Sequence, residues 1–272
     1  MKSKEHILHT PDNFEISVVH TKSSSASNKI VLWFHGIGVN KNEYLDFFKE
    51  GSEYLCDKEI DSLRIDFRGH GTSSGSSQDF TIAGQIIDAE TSLKYILNNY
   101  TNAEICIVGC SFGAFPALFL FSKFHNIIKS LVLIAPVLSY KLTFLDPLTD
   151  WGKSLFNKKT IEKLEDTNKL FIGDNFAISM KLYAEMQIID SRIIINSIQK
   201  SFQVIHGDAD SIVDCEISKI FANEYPLLKL VVFNEMEHGF TKYDDDAGVT
   251  EDSKNNKKNI FRIIENSYVN EN

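Results

Sequence analysis

Short apolar runs alternate along this chain with longer amphipathic stretches. The runs are mostly apolar at consecutive positions and rich in β-branched side chains, as parallel strands are when helices cover both faces of their sheet. They lie at 30–34, 63–66, 105–108, 131–135, 202–205 and 230–233. Two earlier segments, 7–9 and 14–19, are separated by Pro-Asp-Asn and predict an antiparallel hairpin.

The stretches between these runs have helical periodicity. A helix predicted at 82–97 places Ile86 and Leu93 on one apolar stripe. Residues 112–124 are almost wholly apolar, and a last helix is predicted at 259–268. Strands that alternate with helices in this way predict an α/β protein, with a mostly parallel sheet and helices on both faces. Ligands of such sheets bind beyond the carboxyl ends of the strands, so candidate chemistry is sought there.

The segment 136–201 departs from the alternation. It has no convincing strand pattern, although a crossover between parallel strands needs only about a dozen residues. It is rich in aromatic and methionine side chains. We interpret it as a helical cap over the strand ends, inserted into a core formed by 1–135 and 202–272. A plain extension of the core is the alternative.

Composition and charge narrow the class of protein. The 272 residues are 43% hydrophobic and 24% charged, as in a soluble globular protein. The net charge of -9 gives no basic surface for a phosphate backbone and argues against nucleic-acid binding. The longest apolar run, 131–138, is too short to span a bilayer, and no apolar stretch of signal-peptide length follows the N-terminus. The four cysteines form no C-x-x-C pair, which predicts free buried thiols and a cytoplasmic protein.

One strand leads directly into a candidate nucleophile. The strand at 105–108 is followed by GCSFG at 109–113 and then by an apolar helix. A G-x-S-x-G sequence between a strand and a helix is the pattern of a nucleophile elbow, in which glycines leave room for a tight, strained turn. It predicts Ser111 as the nucleophile, at the start of a helix that favours negative charge. Cys110 is one place off the centre and is expected to point into the protein.

A serine nucleophile needs a general base. In sites of this kind the chain order is Ser, then Asp or Glu, then His, and three histidines follow Ser111. His125 lies at the far end of the helix that begins beside Ser111, and His206 precedes the candidate acids. The remaining histidine, His238, follows the last strand and is the predicted base.

The base in turn needs a carboxylate that orients it. The loop HGDADSIVD at 206–214 offers three, of which we choose Asp210, with Asp208 and Asp214 as the alternatives. Those not used are expected to form turns or cap a helix. Counted from Asp208, the loop lacks the glycine and glutamate of a calcium-binding EF-hand, so no metal site is predicted.

The tetrahedral intermediate needs two hydrogen-bond donors for its oxyanion. The backbone N–H of Phe112 is one, and the second is expected in HGIG at 35–38, where we assign it to Ile37. The segment DFRGHG at 66–71 superficially resembles a dinucleotide fingerprint, but its third glycine is misplaced and no helix opens on it. The chain also lacks a phosphate-binding loop motif, and no cofactor is predicted.

Five segments resemble the α/β-hydrolase superfamily, in its order and over nearly the whole chain: HGIG at 35–38, DFRGHG at 66–71, GCSFG at 109–113, HGDAD at 206–210 and HGF at 238–240. The resemblance implies an eight-stranded, mostly parallel sheet with the cap inserted after the sixth strand. It implies the same roles for the serine, the aspartate, the histidine and the two backbone donors. HGDAD and the cap length are similar to bacterial cinnamoyl/feruloyl esterase-like and serine-aminopeptidase-like members.

These residues predict a serine hydrolase that cleaves a carboxylic ester with an apolar acyl or aryl group through an acyl-enzyme. The aromatic and methionine side chains of the cap are expected to form an adaptable pocket wall. The residues expected to bind substrate are Gly36, Trp151, Met180 and Tyr183.

Other functions remain open at this point. The same machinery cleaves thioesters, and an acyl carrier protein would need a basic docking patch. The lysines available for it in the cap are Lys153, Lys158, Lys159 and Lys163, which a solvated surface explains as well. Peptidase activity and a non-catalytic ligand-binding homologue are less favoured, and the sequence leaves the oligomeric state open.

Overall fold

The computed structural model describes residues 2–173 and 176–268, and their strands belong to two sheets. The strands in chain order are β1 (Lys2–His9), β2 (Glu15–Lys22), β3 (Lys29–Phe34), β4 (Asp61–Ile65), β5 (Glu104–Cys110), β6 (Ile128–Ile134), β7 (Leu170–Phe171), β8 (Ala177–Ile178), β9 (Phe202–Gly207) and β10 (Leu228–Phe233). Strands β7 and β8 pair with each other. The others form an eight-stranded sheet with the order β1-β2-β4-β3-β5-β6-β9-β10.

The pairing in the large sheet is mostly parallel. Strands β1 and β2 form the predicted antiparallel hairpin, in which His9 pairs with Glu15, and β2 is also antiparallel to β4. From β4 to β10 each pair of neighbours in the sheet is parallel. The predicted α/β class and the eight-stranded, mostly parallel sheet are therefore confirmed.

Helices connect the strands and cover both faces of the sheet. They are α1 (Phe47–Cys56), α2 (Ile82–Asn99), α3 (Ala114–Lys123), α4 (Asp150–Leu155), α5 (Lys158–Thr167), α6 (Met180–Ile188), α7 (Ser191–Ile195), α8 (Cys215–Glu224) and α9 (Glu251–Asn266). Short 3-10 turns lie at Tyr44–Asp46 and Ser111–Gly113, and a π-helical turn lies at Lys141–Leu145. In the part of the chain that the structure describes, no helix is long and apolar enough to cross a bilayer.

Strand β3 shows why a run of consecutive apolar residues forms a buried strand. Because successive side chains of a strand point to opposite faces, Ile30, Leu32 and Phe34 enter the hydrophobic cluster that includes α2, α3 and α8. Val31 and Trp33 enter the cluster on the other face, with α1 and α9. Both faces are shielded from solvent, so the apolar pattern is continuous rather than alternating.

The last helix is longer than its apolar pattern. It begins at Glu251 instead of the predicted residue 259, because Thr250 caps it by accepting the backbone N–H of Ser253. Its first two turns are mostly polar and exposed, so they carry no apolar stripe. Ile260 and Ile264 of the second half are buried, as predicted.

Residues 136–201 lie between β6 and β9 and contain α4, α5, α6 and α7. The prediction that this segment has no strand is wrong for β7 and β8, which have two residues each and are too short to give an alternating pattern. Phe144, Phe156 and Leu164 of the segment are buried in the same hydrophobic cluster as α2 and α3. The segment therefore packs on the core, and its description as a separate cap stays a prediction.

The four cysteines, Cys56, Cys106, Cys110 and Cys215, are free and buried, as predicted. Burial raises the pKa of each thiol, to about 11 for Cys215. Protonated thiols are poor nucleophiles, so this environment gives none of them the reactivity of a catalytic cysteine.

A buried ion pair fixes the loop that follows β4. The guanidinium of Arg68 lies 2.7 Å from the carboxylate of Asp88 on α2 and 2.6 Å from that of Asp12. The Arg68 side chain is 5% exposed and that of Asp88 0%, whereas that of Asp12 is 38% exposed. Asp88 also accepts the backbone N–H of Arg68, at 2.9 Å. The pair thus joins this loop to the helix beside it.

We expect Asp88→Asn to lower the free energy of unfolding by about 3 kcal/mol, because it leaves the buried charge of Arg68 without its enclosed partner. Asp12→Asn is the matched control. It removes the more exposed partner of the same guanidinium and should cost no more than about 1 kcal/mol. Urea denaturation of both variants measures the difference, and equal losses would show that burial does not set the strength of this contact.

Candidate active site

Ser111 lies at the turn between β5 and α3, in a backbone conformation that is rare for residues other than glycine. Its φ is +49°, in the left-handed region. The two flanking glycines make the turn possible. A Cβ on Gly109 would lie 2.7 Å from the carbonyl oxygen of Gly113, and a Cβ on Gly113 would lie 2.3 Å from that of Phe34. The GCSFG sequence therefore folds as the tight turn that its glycines predict.

The loop after β10 brings His238 to this serine. Its Nε2 lies 3.1 Å from the hydroxyl oxygen of Ser111, and its Nδ1 lies 2.8 Å from Oδ2 of Asp210. An ionised carboxylate only accepts hydrogen bonds, so Nδ1 carries the ring hydrogen and Nε2 has a free lone pair. Nε2 can therefore accept the hydroxyl hydrogen of Ser111. The structure thus brings the three predicted residues into one hydrogen-bonded chain.

The carboxylate of Asp210 is buried among hydrogen-bond donors. Oδ1 accepts the backbone N–H groups of Ile212 and Val213, at 2.9 and 2.8 Å. Oδ2 is shared between His238 and Nε2 of His206, which is 3.1 Å away. Burial by itself would raise the pKa of Asp210, but the two imidazoles hold it well below its usual range. Asp210 is therefore ionised at neutral pH.

The alternative acids of this loop have other partners. Asp208 accepts the backbone N–H of Glu235 at 2.6 Å. Asp214 caps α8 by accepting the N–H of Glu216 at 2.8 Å. Asp214 caps a helix, as expected, whereas Asp208 holds the backbone of the loop after β10.

The pKa of His238 reflects the same contacts. Burial alone would lower this pKa, but the carboxylate of Asp210, which accepts the Nδ1 hydrogen, raises it above the ordinary value of 6.5. More distant carboxylates, Glu43 and Glu237, act in the same direction. The surroundings therefore favour the protonated imidazole, the form that a general base takes when it has accepted a proton.

The loop after β3 leaves one backbone N–H free beside the serine. The N–H of Gly36 donates to the carboxylate of Glu43 at 2.8 Å, and the N–H of Gly38 donates to Nε2 of His70 at 3.0 Å. The N–H of Ile37, between them, has no acceptor among the residues described. The predicted donor is thus the one N–H of these three that stays available.

The other predicted donor belongs to Phe112, the second residue of the turn that opens α3. Backbone N–H groups in the first turn of a helix have no partner within that helix. The side chain of Phe112 is fully buried and packs against Phe80 and Tyr140, with ring centroids 5.6 and 5.3 Å apart. This packing fixes the backbone of the turn.

A cavity of about 390 Å³ opens over Ser111 and His238. Its apolar lining includes Ile37, Val39 and Ile212, and its acidic side chains are Glu43, Glu237 and Asp246. A second cavity, of about 430 Å³, shares Ile37 and Val39 with it. The volume is in the range of small-molecule sites.

Comparison with known proteins places the chain in a family. A model of the alpha/beta hydrolase fold matches residues 29–189, more than half of the chain. The chain belongs to the α/β-hydrolase fold family. None of the curated proteins matches its sequence.

Several solved structures share the fold of this α/β hydrolase. Est1E from Butyrivibrio proteoclasticus with bound ferulic acid is 20% identical, with a TM-score of 0.74, over 96% of this chain and 99% of that one. The Pyrococcus furiosus esterase Pf2001 is 19% identical, with a TM-score of 0.68, over 97% and 90%. A putative hydrolase from Agrobacterium vitis S4 is 16% identical, with a TM-score of 0.72, over 97% and 100%.

Of the residues expected to bind substrate, the structure places Gly36 in the lining of the cavity over Ser111, but not Trp151, Met180 or Tyr183. The role of these three in substrate binding stays a prediction. Each is partly buried against the main hydrophobic cluster, and the Trp151 ring packs on that of Phe156, with centroids 6.3 Å apart.

Two residues of the site were not found from the sequence. His206 was considered only as a base, whereas its Nε2 faces Asp210 and its Nδ1 lies 2.7 Å from the hydroxyl of Ser218. Nothing in the sequence around Glu43 marks it as close to Ser111. His206 lies near the end of β9, directly before the loop of Asp210, and this position is the feature of the sequence that indicates its contact with Asp210.

His35, the first residue of the HGIG segment, is fully buried. Its Nδ1 lies 2.6 Å from the carbonyl oxygen of Gly36, and its Nε2 accepts the backbone N–H of Phe67 at 3.0 Å. The imidazole thus ties the loop after β3 to the loop after β4. Within 2–173 and 176–268, no group of three or more His, Cys, Asp or Glu side chains is arranged to hold a metal ion.

Proposed function

We propose that this α/β hydrolase is a serine carboxylic ester hydrolase that acts on an ester with an apolar acyl or aryl group. The observation that carries the proposal is the hydrogen-bonded chain from Ser111 through His238 to Asp210, with steps of 3.1 and 2.8 Å, at the floor of a cavity of about 390 Å³. A hydroxyl, a base and an orienting carboxylate in this order are the parts that acyl transfer to serine requires.

In the proposed reaction, Nε2 of His238 takes the hydroxyl proton of Ser111 while the serine oxygen attacks the ester carbonyl. The tetrahedral intermediate collapses when His238 returns this proton to the leaving alcohol, which leaves an acyl-enzyme on Ser111. Water then attacks the acyl group and gives a proton to His238. The second intermediate releases the carboxylic acid, and the serine recovers its proton. Asp210 stabilises the imidazolium in both halves.

The backbone N–H groups of Ile37 and Phe112 are proposed to hold the oxyanion in both tetrahedral intermediates. This assignment is supported by the lack of another acceptor for Ile37 and by the helix-initiating position of Phe112. Each such donor typically stabilises the transition state by about 3 to 4 kcal/mol. Two donors would thus supply a large share of the rate enhancement.

The lining of the cavity supports an uncharged substrate with an apolar group. Its titratable side chains besides His238 include three carboxylates, and among the described residues its lining contains neither lysine nor arginine. An anionic group next to the scissile bond would be repelled there. Because Est1E, which shares the fold, has bound ferulic acid, a hydroxycinnamate ester belongs among the substrates to be tested.

The same features favour an ester over the thioester of a carrier. Among the lysines considered for a docking patch, Lys153 and Lys158 each lie 3.9 Å from an acidic side chain of their own helix, Asp150 and Glu162. These neighbours reduce the positive charge that a carrier protein would meet. Thioester cleavage would use the same mechanism. The assay below therefore includes an acyl thioester beside the esters.

Residues 136–201 are proposed to form one wall of the substrate site. Ile172, Gly173 and Phe176 of this segment line the second cavity, together with Ile37 and Val39 of the loop after β3. This contact supports the interpretation of the segment as a cap over one side of the site. The cap residues proposed to approach substrate are therefore these three.

The proposal predicts a pH dependence with a definite sign. Only the neutral imidazole of His238 can take the serine proton, so kcat/KM falls about tenfold for each pH unit below its pKa. Because Asp210 raises that pKa, we expect the midpoint of the acidic limb above 6.5. Rates with a p-nitrophenyl ester in buffers of constant ionic strength give this midpoint. A midpoint clearly below 6.5 would contradict the assigned contact between the imidazole and Asp210.

The experiment that tests the proposed function compares substrates. Hydrolysis is measured for p-nitrophenyl esters of increasing acyl length, a hydroxycinnamate ester, an acyl thioester and an aminoacyl p-nitroanilide. We expect turnover of one or more uncharged esters with a short acyl or aryl group and slower turnover of the anilide. Turnover confined to the thioester or the anilide would replace the ester proposal. No turnover at all would favour a non-catalytic homologue.

A further inference from the structure

Glu43 is a buried carboxylate beside the nucleophile, outside the chain from Ser111 to Asp210. It is 9% exposed, lines the cavity over Ser111 and forms no ion pair with any lysine, arginine or histidine in the described part of the chain. Burying a charge without a cation is costly, so the fold has to supply other donors. This makes Glu43 an unusual residue for a purely structural position.

The backbone of Glu43 is strained. Its φ and ψ are 63° and 177°, a conformation found almost only in glycine. Leu45 and Asp46 also have positive φ, at 49° and 55°. Strain of this kind persists only where the surrounding structure holds it, and it concentrates at functional sites. The segment after the loop of β3 is therefore bent in order to place the Glu43 side chain.

That side chain holds two backbone N–H groups. One oxygen accepts the N–H of Gly36 at 2.8 Å, and the other accepts the N–H of Tyr44 at 3.1 Å. A Cβ built on Gly36 would lie 3.6 Å from the hydroxyl oxygen of Ser111 and 3.8 Å from Oε1 of Glu43, the oxygen that accepts the N–H of Tyr44. The carboxylate and the nucleophile thus both lie close to Gly36.

We propose that Glu43 is a positioning residue for the oxyanion-binding loop: by holding the N–H of Gly36, it leaves the next N–H, that of Ile37, directed at the substrate carbonyl. The inference rests on the proposed ester hydrolysis. Gly38, on the other side of Ile37, is held by His70 at 3.0 Å. The donor is therefore fixed from both sides before substrate arrives, and preorganised donors cost no rearrangement in the transition state.

The two oxygens explain why the residue is an acid. Glutamine at this position has one acceptor and one donor, so it can hold Gly36 but not Tyr44 as well. Alanine or glycine holds neither. Variants at this one position therefore separate the effect of the hydrogen bond to Gly36 from the effect of the negative charge.

The test uses Glu43→Gly and Glu43→Gln. Glycine adopts the strained conformation readily, so Glu43→Gly removes the carboxylate without adding backbone strain, and we expect Tm not to fall. We expect its kcat for a p-nitrophenyl ester to fall about 100-fold with little change in KM, because a misplaced donor acts only in the transition state. Glu43→Gln should recover most of the loss, with the acidic limb of its pH profile moved to lower pH.

Glu53→Gln is the matched control, because it removes the same charge from an exposed position on α1. It should leave kcat, KM and the pH profile as in the unmodified protein. A Glu43→Gly variant with the unmodified kcat would overturn the inference. Equal losses in Glu43→Gly and Glu43→Gln would also overturn it, since they would assign the effect to charge rather than to anchoring.

Hydrogen exchange makes the test independent of the reaction. Residues 35–38 should exchange faster in Glu43→Gly than in the unmodified protein, and Glu43→Gln should restore the protection. If the unmodified protein cleaves no ester, the proposed function fails, while this exchange pattern still reports on the anchoring. If esters are cleaved and exchange is unchanged in Glu43→Gly, the inference about Glu43 fails alone.

Discussion

Ser111→Ala is expected to lower kcat for ester hydrolysis by about 10⁶-fold, because the acyl-enzyme of the proposed reaction forms on its hydroxyl. The hydroxyl of Ser111 is the one that lies 3.1 Å from Nε2 of His238. The neighbouring thiol of Cys110 offers no substitute, since burial raises its pKa well above the ordinary range. Removing the hydroxyl also removes little packing, and we expect the variant to fold as the unmodified protein does.

The measurement is the steady-state rate with the best p-nitrophenyl ester, at enzyme concentrations high enough to detect slow turnover. Ser122→Ala is the control, because it removes a hydroxyl from α3, the helix that follows Ser111. It should retain the full rate. A Ser111→Ala protein with a rate close to that of Ser122→Ala would show that the nucleophile has been misassigned.

Asp210→Asn is expected to lower kcat by about 10⁴-fold. The asparagine amide can present a hydrogen to Nδ1 of His238, which favours the tautomer that carries its hydrogen on Nε2. That tautomer cannot accept the proton of Ser111. The loss of the carboxylate also removes the main stabilisation of the imidazolium, so the pKa of His238 should fall.

Two other aspartates of the same loop provide matched controls. Asp208→Asn and Asp214→Asn make the same chemical change at other contacts. The carboxylate of Asp208 accepts the backbone N–H of Glu235, and that of Asp214 caps α8. We expect both to keep a kcat within a few-fold of the unmodified value and to lose some stability. A large loss of kcat in either of them, with Asp210→Asn active, would contradict the choice of acid.

The parts of the fold that the sequence predicted are those where one physical requirement dominates. Residues 30–34 of strand β3 are all apolar because both faces of the strand are covered, and the strand begins one residue earlier than predicted, at Lys29. The turn around Ser111 requires glycine at 109 and 113 because a Cβ at either place would collide with backbone. Such requirements leave few alternatives, and the pattern in the sequence is correspondingly clear.

Other features depend on contacts between distant parts of the chain. The start of α9 is set by polar hydrogen bonds among Asp245, Thr250 and Ser253, which leave no apolar periodicity. The contact between Asp210 and His238 depends on the loop after β10, which places the imidazole 2.8 Å from that carboxylate. The contact between Glu43 and Gly36 depends on a bend in the chain, which the sequence does not reveal.

The aromatic content of residues 136–201 was informative in a different way. It predicts a cap, which stays a prediction, and the structure buries Phe144 and Phe156 in the main hydrophobic cluster. It did not indicate which side chains face the site, because aromatic residues serve equally well in a core and in a pocket wall. The residues of this segment nearest the site, Ile172, Gly173 and Phe176, lie beside the loop of Ile37 instead.

The most direct test of the account is covalent labelling with a fluorophosphonate, followed by mass spectrometry of the intact protein and its peptides. This reagent forms a stable adduct only with a serine that an adjacent base activates. The account predicts one equivalent of label on Ser111, with labelling lost in Ser111→Ala and greatly slowed in His238→Ala. No label on Ser111 in a folded protein, or a label carried mainly by another residue, would contradict it.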